Sequence, residues 1–540
     1  MRLTIYTEKK TKDDKTSTQH YCKFLRWEFI EPTYNQPNTK IFLMKKNLLR
    51  SVALSALLLV GIGAPKAQAQ TSYEVPPLNP EYQTMADQII ELNLDDPEGA
   101  NKVFSKLIRK ISKSKEDLVS VGTYFLQNNN YPAANQCATK LYDLSAEYVP
   151  GLMFMGEVCM KRKDWGGAGQ KFDEVLLIDS TYVPAIKRNA FVYKNVNPHV
   201  AIEMLERIKR LEPENYEADK DLGDIAYKQE QYKTAVGHYD AYYSRVPKDT
   251  TVIDIRSCEN YLMSLYSTTK FEKVAQLAAE MLPLAPNDMM FKRMRFFADI
   301  ENYELDAAAE HMAYINNKEY EDSLYLYLDY AYAAQYHNLN NDPATAIECY
   351  KKALEVDPTK AQGYKELSTL YGQNKQAELG LEAYKKYLEL IGDKAELSDR
   401  FLLGVQYMKV YQEEGTDPEK KQQFFQDADR IFAEVMEQKP DYVTAIIYRA
   451  RLNNTDPTKI NEDVKNLYVK VLEVSADRPD ETMRERFEAS RYLFFYAVNV
   501  EPNDMELAGR AYEIAKSIAP EDKFVQNAGR FMEISKAEQK

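Results

Sequence analysis

The chain has 540 residues, 44% of them hydrophobic and 28% charged, with a formal net charge of −13. Residues 1–69 carry 12 Lys+Arg against 5 Asp+Glu, which leaves 58 basic and 78 acidic residues, a net of −20, to residues 70–540. So acidic a body argues against nucleic acid or an anionic membrane surface as its partner, favours a neutral or cationic one, and helps keep a long chain soluble.

In chain order, residues 1–43 are polar, mixed in charge and without repeat, and read as a disordered extension from a misassigned start. Met44 then opens a secretory signal peptide over 44–69. Lys45, Lys46 and Arg50 form its basic region, Ser51 to Ile62 its apolar run, and Ala67-Gln68-Ala69 its cleavage site. The apolar run is too short for a comfortable membrane span, so no direct span is expected after cleavage. An inner-membrane anchor over Leu48 to Ala64 is the competing reading. No Cys stands near the cleavage site to be acylated. Residues 70–80, with Pro76, Pro77 and Pro80, read as an extended leader.

A repeat follows over 81–520. Ala100, Ala134, Ala168, Ala201 and Ala235 are spaced 34, 34, 33 and 34 residues apart; Gly122, Gly156, Ala190 and Gly223 run in step. A small residue recurring at this period marks a place where two helices cross closely, once per stacked hairpin. Apolar residues at helical spacing make each half-repeat an amphipathic helix, and Pro247, Pro286, Pro358, Pro440 and Pro520 stop the second halves. No segment alternates with period two, so no sheet is expected. The period gives about twelve units, beginning near Glu81, Lys115, Val149, Val183, Tyr216, Ile255, Met289, Asp322, Ala361, Leu397, Asp441 and Arg486, with a capping helix and tail over 521–540. Loops are predicted to lengthen at Asn338–Asp342, Glu413–Lys421, Asn453–Glu462 and Val500–Asp504, and the unit at Asp441–Asp480 lacks the small residue.

The residues around the small positions make the pattern specific: Gly156, Ala168 and Phe172; Leu222, Gly223, Ala235, Tyr239 and Pro247; Ala346, Tyr350, Ala353 and Pro358; Leu367, Tyr371, Gly380 and Tyr384; Ala508, Tyr512, Ala515 and Pro520. This resembles the tetratricopeptide repeat (TPR), and the chain resembles the periplasmic TPR interaction proteins of Gram-negative bacteria. The resemblance implies an all-α fold, a right-handed superhelical α-solenoid of stacked helix-turn-helix hairpins. In such arrays the first helix of each hairpin lines a concave groove. Carried over by register, the groove candidates are Met153, Phe154 and Glu157; Lys187, Arg188 and Phe191; Lys220, Asp221, Asp224 and Tyr227; and Asn260, Met263 and Tyr266. This mixed lining suits an extended peptide or a helix. The Lys and Asn clamp with which some family members hold a C-terminal carboxylate is not met: Lys187 and Asn195 share one unit, but Met153, Phe154 and Glu157 stand beside it. Among 40 tyrosines, Tyr327 and Tyr330 lie off the face shared by Tyr325, Tyr332 and Tyr336 and join the candidates.

Nothing in the chain points to catalysis. The 5 histidines form no HExxH pair, there is no CxxC, and no G-x-S-x-G elbow stands out. The run Gly166-Gly167-Ala168-Gly169-Gln170-Lys171 misses phosphate-loop spacing and holds the repeat's own Ala168. Neither enzyme activity, cofactor nor metal is expected. Cys137 and Cys159 fall on adjacent helices and read as buried small apolar residues rather than a disulfide. The expected function is an exported, periplasmic scaffold or adaptor that binds another cell-envelope protein through its groove; outer-membrane association would run through that partner. A homodimer through terminal hairpins is a further option. The alternative is glycan binding in a polysaccharide-utilisation or surface-structure system.

Overall fold

The structure is a computed structural model that describes residues 4–5, 25–26, 73–249, 251–317, 324–456 and 458–538. The expected signal peptide and residues 70–72 of the expected leader lie outside them, as does the expected start at Asp322. The described residues form 25 α-helices, an all-α solenoid. One difference from expectation is a two-residue antiparallel ladder, β1 (Thr4–Ile5) against β2 (Leu25–Arg26).

The chain divides into two compact units. One, residues 58–314, holds seven helix pairs in order: α1 (Pro80–Asp95) and α2 (Pro97–Ile111), α3 (Lys115–Gln127) and α4 (Tyr131–Leu144), α5 (Val149–Lys161) and α6 (Trp165–Ile178), α7 (Val183–Tyr193) and α8 (Pro198–Leu211), α9 (Tyr216–Lys228) and α10 (Tyr232–Arg245), α11 (Ile255–Ser267) and α12 (Phe271–Met281), α13 (Met289–Glu301) and α14 (Leu305–His311). The other, residues 315–540 with 1–57, holds α15 (Tyr327–Leu339) and α16 (Pro343–Val356), α17 (Ala361–Gln373) and α18 (Ala377–Ile391), α19 (Leu397–Gln412) and α20 (Pro418–Gln438), α21 (Val443–Asn453) and α22 (Glu462–Val474), α23 (Met483–Asn499) and α24 (Met505–Ile518), and a last helix, α25 (Lys523–Glu538).

The alanine series has a local cause. Each of these residues is the fourth after the N-cap of a second helix, and its amide closes the first turn: Ala100 N–H donates to the Asp96 carbonyl, Ala134 to Asn130, Ala168 to Asp164, Ala201 to Asn197 and Ala235 to Gln231. Val274, Ala308, Ala346, Gly380 and Ala508 hold the same place. All five alanines of the series are buried. In α22 the place holds Lys465, the irregularity visible in the sequence. α20 begins earlier than its counterparts, so its small residue, Ala428, falls in mid-helix.

The glycine series receives rings. A Cβ on Gly223 would come within 2.7 Å of the Tyr239 ring, and one on Gly404 within 2.7 Å of the Phe432 ring. Gly156 is covered by Phe172 in the same way. In the second hairpin the matching ring position is Ala138, and Phe154 from the next hairpin covers Gly122 instead. The hairpin turn is three residues long: a C-cap, a residue with positive φ, and the next N-cap. Asn129, Lys163, Glu230, Thr269, Tyr303, Asn341 and Lys375 take the left-handed place. Asn341 corrects an expectation. The loop predicted to lengthen at Asn338–Asp342 is this ordinary turn, because α15 runs on to Leu339.

Candidate partner-binding face

Within residues 73–314 the first helices lie side by side, α1 on α3, α3 on α5, α9 on α11 and α11 on α13. Their shared face carries three polar clusters.

The first lies under the chain's own leader. Residues 73–79 are non-helical and run into α1, whose N-cap Asn79 accepts from the Glu81 N–H. Tyr73 is 5% exposed, and Val75 and Leu78 pack partly buried on the same core. The Tyr73 phenol faces Thr123 on α3, Glu157 on α5 and Arg188 on α7; burial and then the Glu157 charge push its pKa well up. Glu157 and Arg188 are both buried, with Arg188 Nε 2.5 Å from Glu157 Oε1. Burial raises the Glu157 pKa, against the opposing pull of Arg188. Arg188 Nη2, beside the ion pair, is buried without a hydrogen bond.

The second cluster joins α7, α9 and α11. Asp224 accepts from Tyr239 Oη at 2.7 Å, Ser257 Oγ at 3.1 Å and Asn260 Nδ2 at 3.2 Å. Lys220 Nζ lies 3.4 Å from Asp254 Oδ2 and 4.0 Å from Asp221 Oδ1. Burial would lower the Lys220 pKa, but Asp221, Asp254 and Asp224 together raise it. Lys187 pairs with Glu217, and burial holds its pKa down. In the third cluster, Glu259 on α11 hydrogen-bonds Asp288, the N-cap of α13, and burial with that second carboxylate pushes Glu259 up to about 7.

The expected groove residues divide accordingly. Glu157 and Arg188 come together, as do Lys220, Asp221, Asp224 and Asn260, with Lys187 beside them. Phe191 is 44% exposed and lies 6.3 Å from the ring of Trp165. Tyr227 is half-buried against Tyr232, and in the other unit Tyr330 is half-buried against Tyr325. Met153, Phe154, Met263, Tyr266 and Tyr327 are corrected: all are buried and offer no surface. Phe154 fills the space over Gly122, Tyr266 meets Phe271 edge to face, and Tyr327 reaches Gly363. Register alone sets them on the face, but large apolar side chains there turn inward, Phe154 and Tyr327 onto the neighbouring hairpin and Tyr266 onto its own. Sequence reasoning missed Tyr73, Thr123 and Glu259. The leader was legible as extended chain, but nothing in it says where Tyr73 lands.

Among the described residues no His, Cys, Asp and Glu cluster could hold a metal, and no helix is long and apolar enough to cross a membrane. Cys137, Cys159, Cys258 and Cys349 are free thiols, and burial pushes Cys137 up to about 12.

Residues 193–250 match the tetratricopeptide repeat family. No curated protein matches the chain. Solved structures similar to it include the C-terminal part of a TPR repeat-containing protein from Cytophaga hutchinsonii, 18% identical, covering 50% of this chain and 98% of that one with a TM-score of 0.42. PilF of Pseudomonas aeruginosa is 17% identical, covering 39% and 97%, with a TM-score of 0.31. A TPR protein from Parabacteroides merdae is 14% identical, covering 48% and 98%, with a TM-score of 0.31. The chain is an all-α solenoid whose residues 193–250 match tetratricopeptide repeats.

Proposed function

We propose that this protein is an exported scaffold that holds another cell-envelope protein, as an extended segment, on the first-helix face of residues 73–314. The observation that carries the reading is the partly buried charge cluster of Lys187, Lys220, Asp221 and Asp224 on the first helices α7 and α9. Asp224 is taken up in joining α9 to α10 and α11, while Lys187, Lys220 and Asp221 offer charges of both signs to set a bound peptide's register. The basic, apolar and small-residue succession of 44–69 supports export to the periplasm. The Lys187→Glu, Lys220→Glu double variant tests the reading. It should keep the wild-type circular dichroism and lose at least tenfold in capture of the partner from envelope extract; undiminished capture would contradict the assignment.

A second reading, glycan binding, is favoured by one feature, the exposed Trp165 and Phe191 pair. Its test is a carbohydrate array read alongside Trp165→Ala, where a hit lost in the variant would support it.

A further inference from the structure

We propose that residues 73–79 occupy the partner site in cis, and that the partner presents an extended segment of the same chemistry: a tyrosine, an aliphatic residue two positions on and another three beyond. The inference rests on the scaffold reading above.

The leader behaves as a bound peptide would. Its buried and partly buried side chains are Tyr73, Val75, Pro76 and Leu78, while Glu74 and Pro77 face solvent. Tyr73 stands over three successive first helices, through Thr123, Glu157 and Arg188. Glu74 lies close enough to influence Tyr148 and Tyr182, the N-caps of α5 and α7. Among the described residues, no backbone hydrogen bond ties 73–78 to the helices, so side chains alone hold the segment. Such a segment releases by local opening without unfolding its surroundings. On the floor of the slot Arg188 Nε lies 2.5 Å from Glu157 Oε1, while Arg188 Nη2 is buried without a hydrogen bond. A ligand that also reaches Arg188 Nη2 at the same depth displaces the leader, since unpaired buried polar groups are costly.

The test uses the full chain and a fluorescein-labelled peptide of residues 73–80 (YEVPPLNP), read by fluorescence anisotropy. A tether places the leader at an effective concentration on the order of 1 mM, so a peptide with a Kd of about 0.1 mM binds the wild type roughly tenfold more weakly than an opened variant. We therefore expect saturable binding to Tyr73→Ala and to Leu78→Asp, at least tenfold weaker binding to wild type, and none by a peptide whose tyrosine is replaced by alanine. Equal binding to wild type and both variants would overturn the inference. So would no binding to either variant when their melting curves match the wild type. If the charge-reversed face still loses the partner in that case, the leader's role fails while the scaffold reading stands.

Discussion

A Cβ on Gly223 would meet the ring of Tyr239, and that ring's hydroxyl bonds Asp224. One glycine therefore sets both the packing of α9 on α10 and the position of a carboxylate on the candidate face. Gly223→Ala should cost about 1–3 kcal/mol in denaturant unfolding, the usual effect of overpacking. On the neighbouring helix, Gly237 has open space around it, so Gly237→Ala should gain about 0.5–1 kcal/mol from helix propensity alone. Equal effects at the two positions would show that the ring contact does not set the small-residue requirement. Glu259 gives a pH signature. Its neutral form is favoured in the folded state, so its contribution is complete below the ordinary glutamate pKa of about 4.3 and is lost as pH rises through about 7. Glu259→Gln should match the wild type near pH 4 and exceed it in stability near pH 8. Parallel stability curves across that range would refute the carboxylate pairing.

At the scale of the element, the hairpin turn is capped by side chain in three of the seven cases. Asn130, Asp164 and Asp342 accept from the next helix's first turn, whereas Gln231, Lys270, Glu304 and Gln376 in the same place make no side-chain cap and their carbonyls alone close it. The residue before the N-cap is left-handed and never glycine at the seven turns that share this geometry. Thr269, at φ 64°, is the worst suited of them because it is β-branched, whereas Asn129, at φ 60°, tolerates the conformation. Thr269→Gly should raise stability by about 1 kcal/mol and Asn129→Gly by less, read from denaturation midpoints. The helices were legible because a small residue recurs every 33 or 34 residues from Ala100 to Ala235 and prolines follow several second helices. The rings over Gly156 and Gly223 were legible as well, four residues after the alanine, but the ring over Gly122 was not, since Ala138 holds that place. Which face a side chain chooses was not. Met153, Phe154 and Tyr266 share register with true surface positions yet are buried, Phe154 over Gly122 of the preceding hairpin and Tyr266 against Phe271 of its own. Tyr73 lies further still from sequence reasoning, since its contacts on α3, α5 and α7 are 50 to 115 positions away.

At the scale of the whole molecule, each hairpin buries its apolar face chiefly on its neighbours, so stability is close to a sum of units and their junctions. The net charge of −20 over residues 70–540 gives that array a long-range pull on cationic partners. Partner association should therefore slow as ionic strength rises from about 0.05 to 0.5 M, where the screening length falls below about 5 Å; a salt-independent association rate would contradict electrostatic steering. The central claim is that the first-helix face of residues 73–314 is where the partner lies. Site-specific photo-crosslinking measures it most directly, with a photoreactive residue placed in turn at Lys220 and Asn260 on that face and at Lys233 on α10 as the control. The account predicts partner adducts from positions 220 and 260 and none from 233; adducts from 233 alone would contradict it.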